Sequence, residues 1–185
     1  MTEDEEYYAA TKANFLRAID TAFDEDGLRT ELGDLAISRV LDVGCGIGQA
    51  LHPLAVSGGA MGVGIDVSEE SLRIGRAIYQ EKFPDARVSF IRSMAETLPF
   101  ENESFDVLNC GLALPYMDNT AAIAEMARVL RPGGTLLLKI HHPLFYFGEI
   151  VRGLTGGGLS PIIHGTRVIT AGTIYHVFGR QPRFK

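Results

Sequence analysis

The sequence predicts an α/β protein in which helices cover both faces of a doubly wound, mostly parallel β-sheet. Five short apolar segments alternate with segments of helical pattern, which is typical of parallel βαβ units. A glycine-rich stretch, VLDVGCGIGQA at 40–50, contains the end of the first apolar segment and the turn after it. With 185 residues, 46% of them hydrophobic, the chain is long enough to bury one core of ordinary size.

The predicted elements begin with a helix from Glu5 to about Phe23, where apolar residues recur at intervals of seven, four and four. A second helix is predicted at 68–83, with N-cap chemistry at Ser68, and a third at 119–130, closed by RPGG. The five predicted strands are 39–44, 62–67, 86–91, 104–110 and 134–140.

The C-terminal part has a looser pattern. The stretch GLTGGGLS, which begins at residue 153, predicts a flexible glycine-rich loop. Beyond it, a β-hairpin is predicted with strands at about 167–170 and 173–178 around Ala171 and Gly172. A hairpin this short would either complete the sheet with two very short strands or leave the sheet incomplete.

The composition disfavours several classes of partner. A formal net charge of -6 disfavours broad binding to nucleic acid or to anionic membranes, so small neutral or cationic partners are expected. The two cysteines, Cys45 and Cys110, predict reduced thiols and neither a disulfide framework nor a metal cluster. The acidic start MTEDEEYYAA does not match a secretory signal, and no apolar run approaches a membrane span of about 20 residues. We expect a cytoplasmic protein.

Four stretches with site-type residues each follow a predicted strand: the glycine-rich turn, SMAETLPF, CGLALPY and HHPLFYF. They should therefore meet at one edge of the sheet. Ligands of open α/β sheets bind at the carboxyl ends of the strands. Asp66 ends the second strand, where a carboxylate can accept hydrogen bonds from both vicinal hydroxyls of a ribose. The ligand should therefore contain a ribose.

The spacing of the glycines indicates which ribose-containing ligand is expected. Gly44, Gly46 and Gly48 form G-x-G-x-G, with Asp42 two residues earlier, whereas the dinucleotide fingerprint is G-x-G-x-x-G. A carboxylate beside the turn repels pyrophosphate and attracts an ammonium group. This favours S-adenosylmethionine over NAD and disfavours a nicotinamide-dependent oxidoreductase.

Four ordered stretches carry a family resemblance: VLDVGCGIGQA, GVGIDVSEESL, SMAETLPFENESFDVLNCGLAL and EMARVLRPGGTLLLK. Together they resemble the successive motifs of class I S-adenosylmethionine-dependent methyltransferases, particularly the group similar to ubiquinone and menaquinone biosynthesis methyltransferases. The resemblance covers about 38–140. It implies a three-layer Rossmann-like fold with seven strands, the last antiparallel. The expected organisation is one domain, 1–185, made of a helical cover (1–30), a cofactor-binding core (38–140) and a substrate-side region (141–185).

The resemblance also implies roles for the residues around the cofactor. Asp42 would reach its ammonium group, Asp66 its ribose, and Val67 would lie beside the adenine. Many family members carry an aspartate that accepts from the adenine amine at the position of Met94. The other expected contacts are Gly44, Cys45, Gly46 and Gly48 in the glycine-rich turn, Ala95 after the third strand, and Cys110 and Gly111 after the fourth.

Methyl transfer needs alignment and, for some acceptors, removal of a proton. The candidate bases are His141 and His142, with Tyr116 as a further polar group. Similar enzymes tend to carry histidine at the positions of Pro115 and Tyr116. The stretch HHPLFYF is consistent with a small, partly hydrophobic acceptor with an oxygen or carbon nucleophile. Tyr7 and Tyr8 are candidates to close over the cofactor.

The sequence leaves two alternatives to an enzyme that methylates small molecules. A nucleic-acid substrate is disfavoured because the chain has NCGLALPY where base amino-methyltransferases carry Asn/Asp-Pro-Pro-aromatic. The other is a cofactor-binding protein without independent activity, or a fragment of a larger enzyme. An incomplete sheet would leave apolar surface exposed, which favours a homodimer.

Overall fold

The computed structural model describes residues 3–20, 32, 36–157 and 159–178. Its centre is a sheet of five parallel strands, which lie in the order β3-β2-β1-β4-β5. The strands are β1 (Arg39–Val43), β2 (Met61–Asp66), β3 (Val88–Arg92), β4 (Phe105–Gly111) and β5 (Leu130–Lys139). This order, which runs outward from β1 in both directions, confirms the predicted doubly wound α/β fold.

The described part of the chain places these α-helices beside the sheet: α1 (Glu3–Asp20), α2 (Glu69–Lys82), α3 (Asn119–Val129), α4 (Pro143–Arg152) and α5 (Leu159–Phe178). The predicted capping at Ser68 is present, because its hydroxyl accepts a hydrogen bond from the backbone N–H of Ser71. Asp118 caps α3 in the same way, accepting from two backbone N–H groups. Both are residue types that favour N-caps.

The core lies on both faces of the sheet, because successive residues of a strand point to opposite sides. On one face, Leu41, Ile65 and Leu108 pack with Ala122 and Met126 of α3. On the other face, another buried cluster joins the sheet to α1 and α2; it contains Phe15, Leu72, Ile78, Tyr79 and Phe90. The molecule therefore has the three layers expected from the sequence.

The predicted C-terminal hairpin is wrong. Residues 159–178 form the single helix α5, which includes both segments proposed as strands. A Cβ atom at Gly165 would collide with the carbonyl oxygen of Tyr146 in α4, so the two helices cross closely there. The β-branched residues at 168–170 favour a strand by propensity, but packing against α4 overrides it. Among the described residues, the sheet has no antiparallel strand, in contrast to the seven-stranded sheet that the resemblance implied.

Smaller differences concern the ends of elements. Gly153–Gly157, expected as a loop, forms a π-helical turn directly after α4. RPGG, expected after the third helix, belongs to β5, which begins at Leu130. The first helix ends at Asp20, and Phe23 lies outside the described residues. In the part of the chain that the structure describes, no helix is both long and apolar enough to cross a membrane.

One buried carboxylate joins three strands. Asp106, in β4, accepts hydrogen bonds through Oδ2 from the backbone N–H groups of Ser38 at 2.6 Å and Arg39 at 2.8 Å. Its Oδ1 pairs with the guanidinium of Arg131 in β5 at 2.5 Å. The carboxylate thus fixes the start of β1 against β4 and β5.

Replacing this carboxylate should destabilise the fold more than replacing its cationic partner. We expect Asp106→Ala to lower the free energy of unfolding by about 2 kcal/mol, because two backbone N–H groups lose a charged acceptor. Arg131→Gln should cost less than about 1 kcal/mol, since the Arg131 side chain is 38% exposed. Urea unfolding of both variants measures the difference, and equal losses would contradict the assignment.

Candidate functional site

A cavity of about 690 Å³ lies at the carboxyl-end edge of the sheet. Its wall combines the turns that follow the strands with parts of α1 and α4, as expected for a ligand site of an open α/β sheet. The lining residues are Tyr8, Gly44, Gly46, Ile65, Asp66, Val67, Ser71, Ser93, Met94, Ala95, Glu96, Gly111, Leu112, Ala113, Tyr116, Met117, His141, Phe145, Tyr146 and Glu149.

Asp66 is the carboxylate that the structure holds most firmly at the cavity wall. Its Oδ2 accepts a hydrogen bond from the backbone N–H of Gly46 at 2.9 Å, and its Oδ1 accepts from the backbone N–H of Ser68 at 2.8 Å. A carboxylate oxygen can accept more than one hydrogen bond. The side chain is therefore fixed in place and still able to accept from two neighbouring hydroxyls of a ligand.

The alternating glycines do not share one role. Gly46 has a φ of 54°, and a Cβ atom built there would meet no protein atom within 4 Å, so it leaves open space at the cavity wall. Gly48 has a φ of 85°, and its Cβ would lie 2.7 Å from the ring of Phe90. Gly48 therefore serves packing of the turn against β3, and it does not line the cavity. Side chains at either position would also be strained by the positive φ.

Asp42 lies beneath the cavity and not in its wall. The residue is 2% exposed, and its Oδ1 accepts a hydrogen bond from the Asn109 side-chain amide at 2.6 Å. Burial raises the pKa of Asp42 to about 7; the hydrogen bond from Asn109 opposes the rise, and the negative charge of Asp66 adds to it. Asp42 therefore changes its ionisation near neutral pH.

The two cysteines are buried neutral thiols. Burial, with the charges of Asp42 and Asp66, raises the pKa of the Cys45 thiol well above its usual value. Burial also raises the pKa of Cys110 to about 11. Because the thiolate is the reactive form, neither cysteine is suited to nucleophilic chemistry at neutral pH.

The far side of the cavity is aromatic. His141 stacks on Phe145 with ring centroids 3.8 Å apart and planes 15° apart. Tyr146 meets Phe145 edge-on, at 5.4 Å and 86°. Tyr116 is 58% exposed. His142 is not in the wall. Its Nδ1 accepts a hydrogen bond from the Leu144 backbone N–H at 3.3 Å and caps α4.

The structure thus brings together part of the predicted set. The predicted residues that line the cavity are Gly44, Gly46, Asp66, Val67, Met94, Ala95, Gly111, Tyr116 and His141. Those outside its wall are Asp42, Cys45, Gly48, Cys110 and His142. Tyr8 also lines the cavity, and its hydroxyl lies 3.1 Å from Ser68 Oγ; the side chain of Tyr7 lies outside the described residues.

Sequence reasoning missed Glu96 and Glu149. Glu96 follows β3, and its Oε1 accepts from the backbone N–H of Asp118 at 2.8 Å. Glu149 lies on α4 four residues after Phe145, so both face the cavity from one side of the helix. Helical spacing in PLFYFGEIVR is the signal that could have found it.

The fold and the site define an α/β protein with a cavity at the carboxyl ends of its strands and a firmly held carboxylate, Asp66, at the end of the second strand. A family model described as a methyltransferase domain matches residues 40–134, more than half of the chain. The chain belongs to this methyltransferase domain family.

Individual relatives agree with this assignment. The chain is 38% identical over 101 residues to the O-methyltransferase cnsE of Penicillium expansum, a match that covers 54% of this chain and 37% of that protein. It is 36% identical over 116 residues to the demethylmenaquinone methyltransferase of Lactococcus lactis, covering 60% and 46%. The crystal structure of an S-adenosylmethionine dependent methyltransferase from Mesorhizobium loti matches with a TM-score of 0.56 and 28% identity, covering 65% and 55%. The chain spans less than half the length of the two curated relatives.

The buried Asp42 should make the stability of the fold depend on pH. Its pKa is raised in the folded chain, so its stabilising contribution is complete below its ordinary pKa of 3.8 and is lost as pH rises through about 7. Between these values, the free energy of unfolding of the wild type should fall by about 1 kcal/mol per pH unit relative to Asp42→Asn. Urea unfolding of both proteins at pH 5, 6, 7 and 8 measures it. A difference that does not vary with pH would contradict the raised pKa.

Proposed function

We propose that this chain binds S-adenosylmethionine in the cavity and that a methyl group is transferred there to a small-molecule acceptor, with an oxygen or carbon nucleophile. The observation that carries the proposal is the Asp66 carboxylate, oriented by the N–H groups of Gly46 and Ser68 at the cavity wall. The open space at Gly46 fits a ligand lying against the backbone. Membership of the methyltransferase family supports the same cofactor.

Each part of the cofactor has candidate residues. Asp66 accepts from the ribose hydroxyls. Val67 and Met94, 62% and 45% exposed, offer apolar contact to the adenine together with Ala95. The methionine end lies over Gly44, Gly46 and Gly111. Cys45, Gly48 and Cys110 shape the wall from behind, and Asp42 contributes charge from beneath it.

When bound, S-adenosylmethionine supplies a methyl group on a sulfonium, an electrophile that needs no further activation. The chain has to align the acceptor and receive its proton. His141 is the candidate base because it lines the cavity and has an imidazole held against Phe145. Tyr116 is a further polar contact from the 3₁₀ turn Leu114–Tyr116. His142 acts on α4, whose start it caps, and so positions the residues of that helix.

The acceptor side supports a small, partly apolar molecule. Its rings come from His141, Phe145 and Tyr146, and the volume of 690 Å³ has to accommodate cofactor and acceptor together. The names of the two curated relatives, an O-methyltransferase and a demethylmenaquinone methyltransferase, favour small molecules over nucleic acid or membrane as partners. The proposal includes a cytoplasmic location and a homodimer. The homodimer is supported by the exposed apolar side chains of Leu144, Leu154 and Leu159.

Calorimetric titration with S-adenosylmethionine and S-adenosylhomocysteine tests the cofactor. We expect micromolar binding by the wild type and at least a tenfold loss in Asp66→Ala, because hydrogen bonds to a charged acceptor contribute about 1.5–3 kcal/mol. Asp85→Ala, at an exposed position outside this cavity, is the matched control. A folded wild type that binds neither compound would overturn the proposal. Binding without methyl transfer to any acceptor would favour the non-catalytic or incomplete protein.

A second variant tests the adenine position. Met94→Asp would restore the carboxylate that accepts from the adenine amine in similar enzymes, and the site is exposed enough to take it without loss of core packing. We expect the affinity for S-adenosylhomocysteine to rise about threefold to tenfold, the gain of one hydrogen bond. Met94→Asn is the control for size. A weaker affinity in Met94→Asp would place the adenine elsewhere.

A further inference from the structure

We propose that Glu149 selects the acceptor: its carboxylate holds a hydroxyl of a planar, ring-bearing molecule and excludes molecules that carry a carboxylate or phosphate. This inference rests on the proposed function, because it concerns the acceptor half of the same cavity. It assigns to α4 a specificity-determining residue that is separate from the candidate base His141.

The position of Glu149 suits this role. It lines the cavity on the same side of α4 as Phe145, and its side chain is only 15% exposed. Its Oε2 accepts a hydrogen bond from Arg152 at 2.8 Å. Among the described residues, no hydrogen-bond donor reaches its Oε1. One carboxylate oxygen is therefore held, and the other is able to accept from a ligand.

The rings beside Glu149 favour a planar acceptor. The stacked pair of His141 and Phe145 forms one wall, and Phe145 is still 42% exposed. Tyr146 meets both of these rings edge-on. Aromatic rings prefer offset-stacked or edge-to-face neighbours, so a second planar ring fits this wall. Glu149 lies one helical turn further along α4, within reach of a substituent on such a ring.

The charge of the wall disfavours an anion. Asp66, Glu96 and Glu149 line the cavity, and within its described lining there is no lysine or arginine. Asp66 and Glu96 already accept hydrogen bonds from backbone N–H groups. Arg152 pairs with Glu149 but is 63% exposed and is not part of the wall. An anionic substituent near Glu149 would therefore meet a carboxylate with no cation in the cavity wall to pair with, whereas a hydroxyl would donate a hydrogen bond.

Two probes that differ in charge and by one ester methyl group test the selection: methyl 3,4-dihydroxybenzoate, which is neutral, and 3,4-dihydroxybenzoate, which is anionic. Their dissociation constants are measured by ligand-observed NMR, with and without S-adenosylhomocysteine. We expect the wild type to bind the neutral ester at least about tenfold more tightly, a difference of about 1.4 kcal/mol. Glu149→Gln keeps the size of the side chain and should reduce this ratio to below about threefold. Arg152→Gln should increase the ratio, because it removes the positive partner of Glu149.

Glu101→Gln makes the same chemical change at an exposed position outside the cavity and should leave the ratio unchanged. Equal binding of the two probes by the wild type, a ratio insensitive to Glu149→Gln, or no binding of the ester at millimolar concentration would each overturn the proposal. Titration of S-adenosylhomocysteine in the same samples separates the two proposals. Cofactor binding without discrimination between the probes refutes only the role of Glu149, whereas discrimination without cofactor binding refutes only the proposed cofactor.

Discussion

Parallel pairing of β1 with β2 on one side and β4 on the other is the constraint on which the site depends. Because all five strands point the same way, every turn at their carboxyl ends reaches the same edge of the sheet. Residues far apart in the chain, such as Gly46, Asp66 and Gly111, therefore line one cavity. The buried clusters on both faces hold the strands in this arrangement and leave the edge free for a ligand.

The two halves of the cavity are built from different parts of the chain, one mainly from backbone groups and the other mainly from side chains. The half assigned to the cofactor is built on backbone: the N–H groups of Gly44 and Cys45 both donate to the carbonyl of Ile65 at 2.9 Å, and Asp66 closes the turn from the other side. The half assigned to the acceptor is built on side chains of α4 and the residues just before it. In the proposed function, such a division would let one cofactor site serve different acceptors through changes in a single helix.

The sequence was sufficient to predict the five parallel strands and the position of Asp66 at their carboxyl ends, because these depend on local patterns. Short apolar segments, a glycine-rich turn and an acidic residue at the end of a strand are all visible within a few positions of one another. The C-terminal helix could not be predicted in the same way. Its β-branched residues favour a strand, and only the close crossing at Gly165 with α4, a tertiary contact, makes the helix the better packed state.

The same reasoning explains why some of the predicted site residues lie outside the cavity wall. The family resemblance implies that Asp42, Cys45 and Cys110 lie next to the ligand, but a sequence motif does not tell whether a side chain faces the cavity or the core. Asp42 lies opposite Asn109 in the register of β1 and β4, and the two side chains satisfy each other in the sheet. Glu149 was missed although its helical spacing from Phe145 is visible in the sequence, because its place in the cavity wall also depends on how α4 packs beside the site.

In the proposed function, the Asp42–Asn109 pair also couples ligand binding to the release of protons. With a pKa of about 7, the carboxyl is partly protonated at neutral pH in the ligand-free chain. A cationic ligand group bound near Asp42 would favour the ionised carboxylate. Binding would then release, on average, a fraction of one proton per molecule into solution. The heat measured on binding then includes the heat with which the buffer takes up that proton. The same association would release different heats in phosphate and in Tris, although its intrinsic affinity is unchanged.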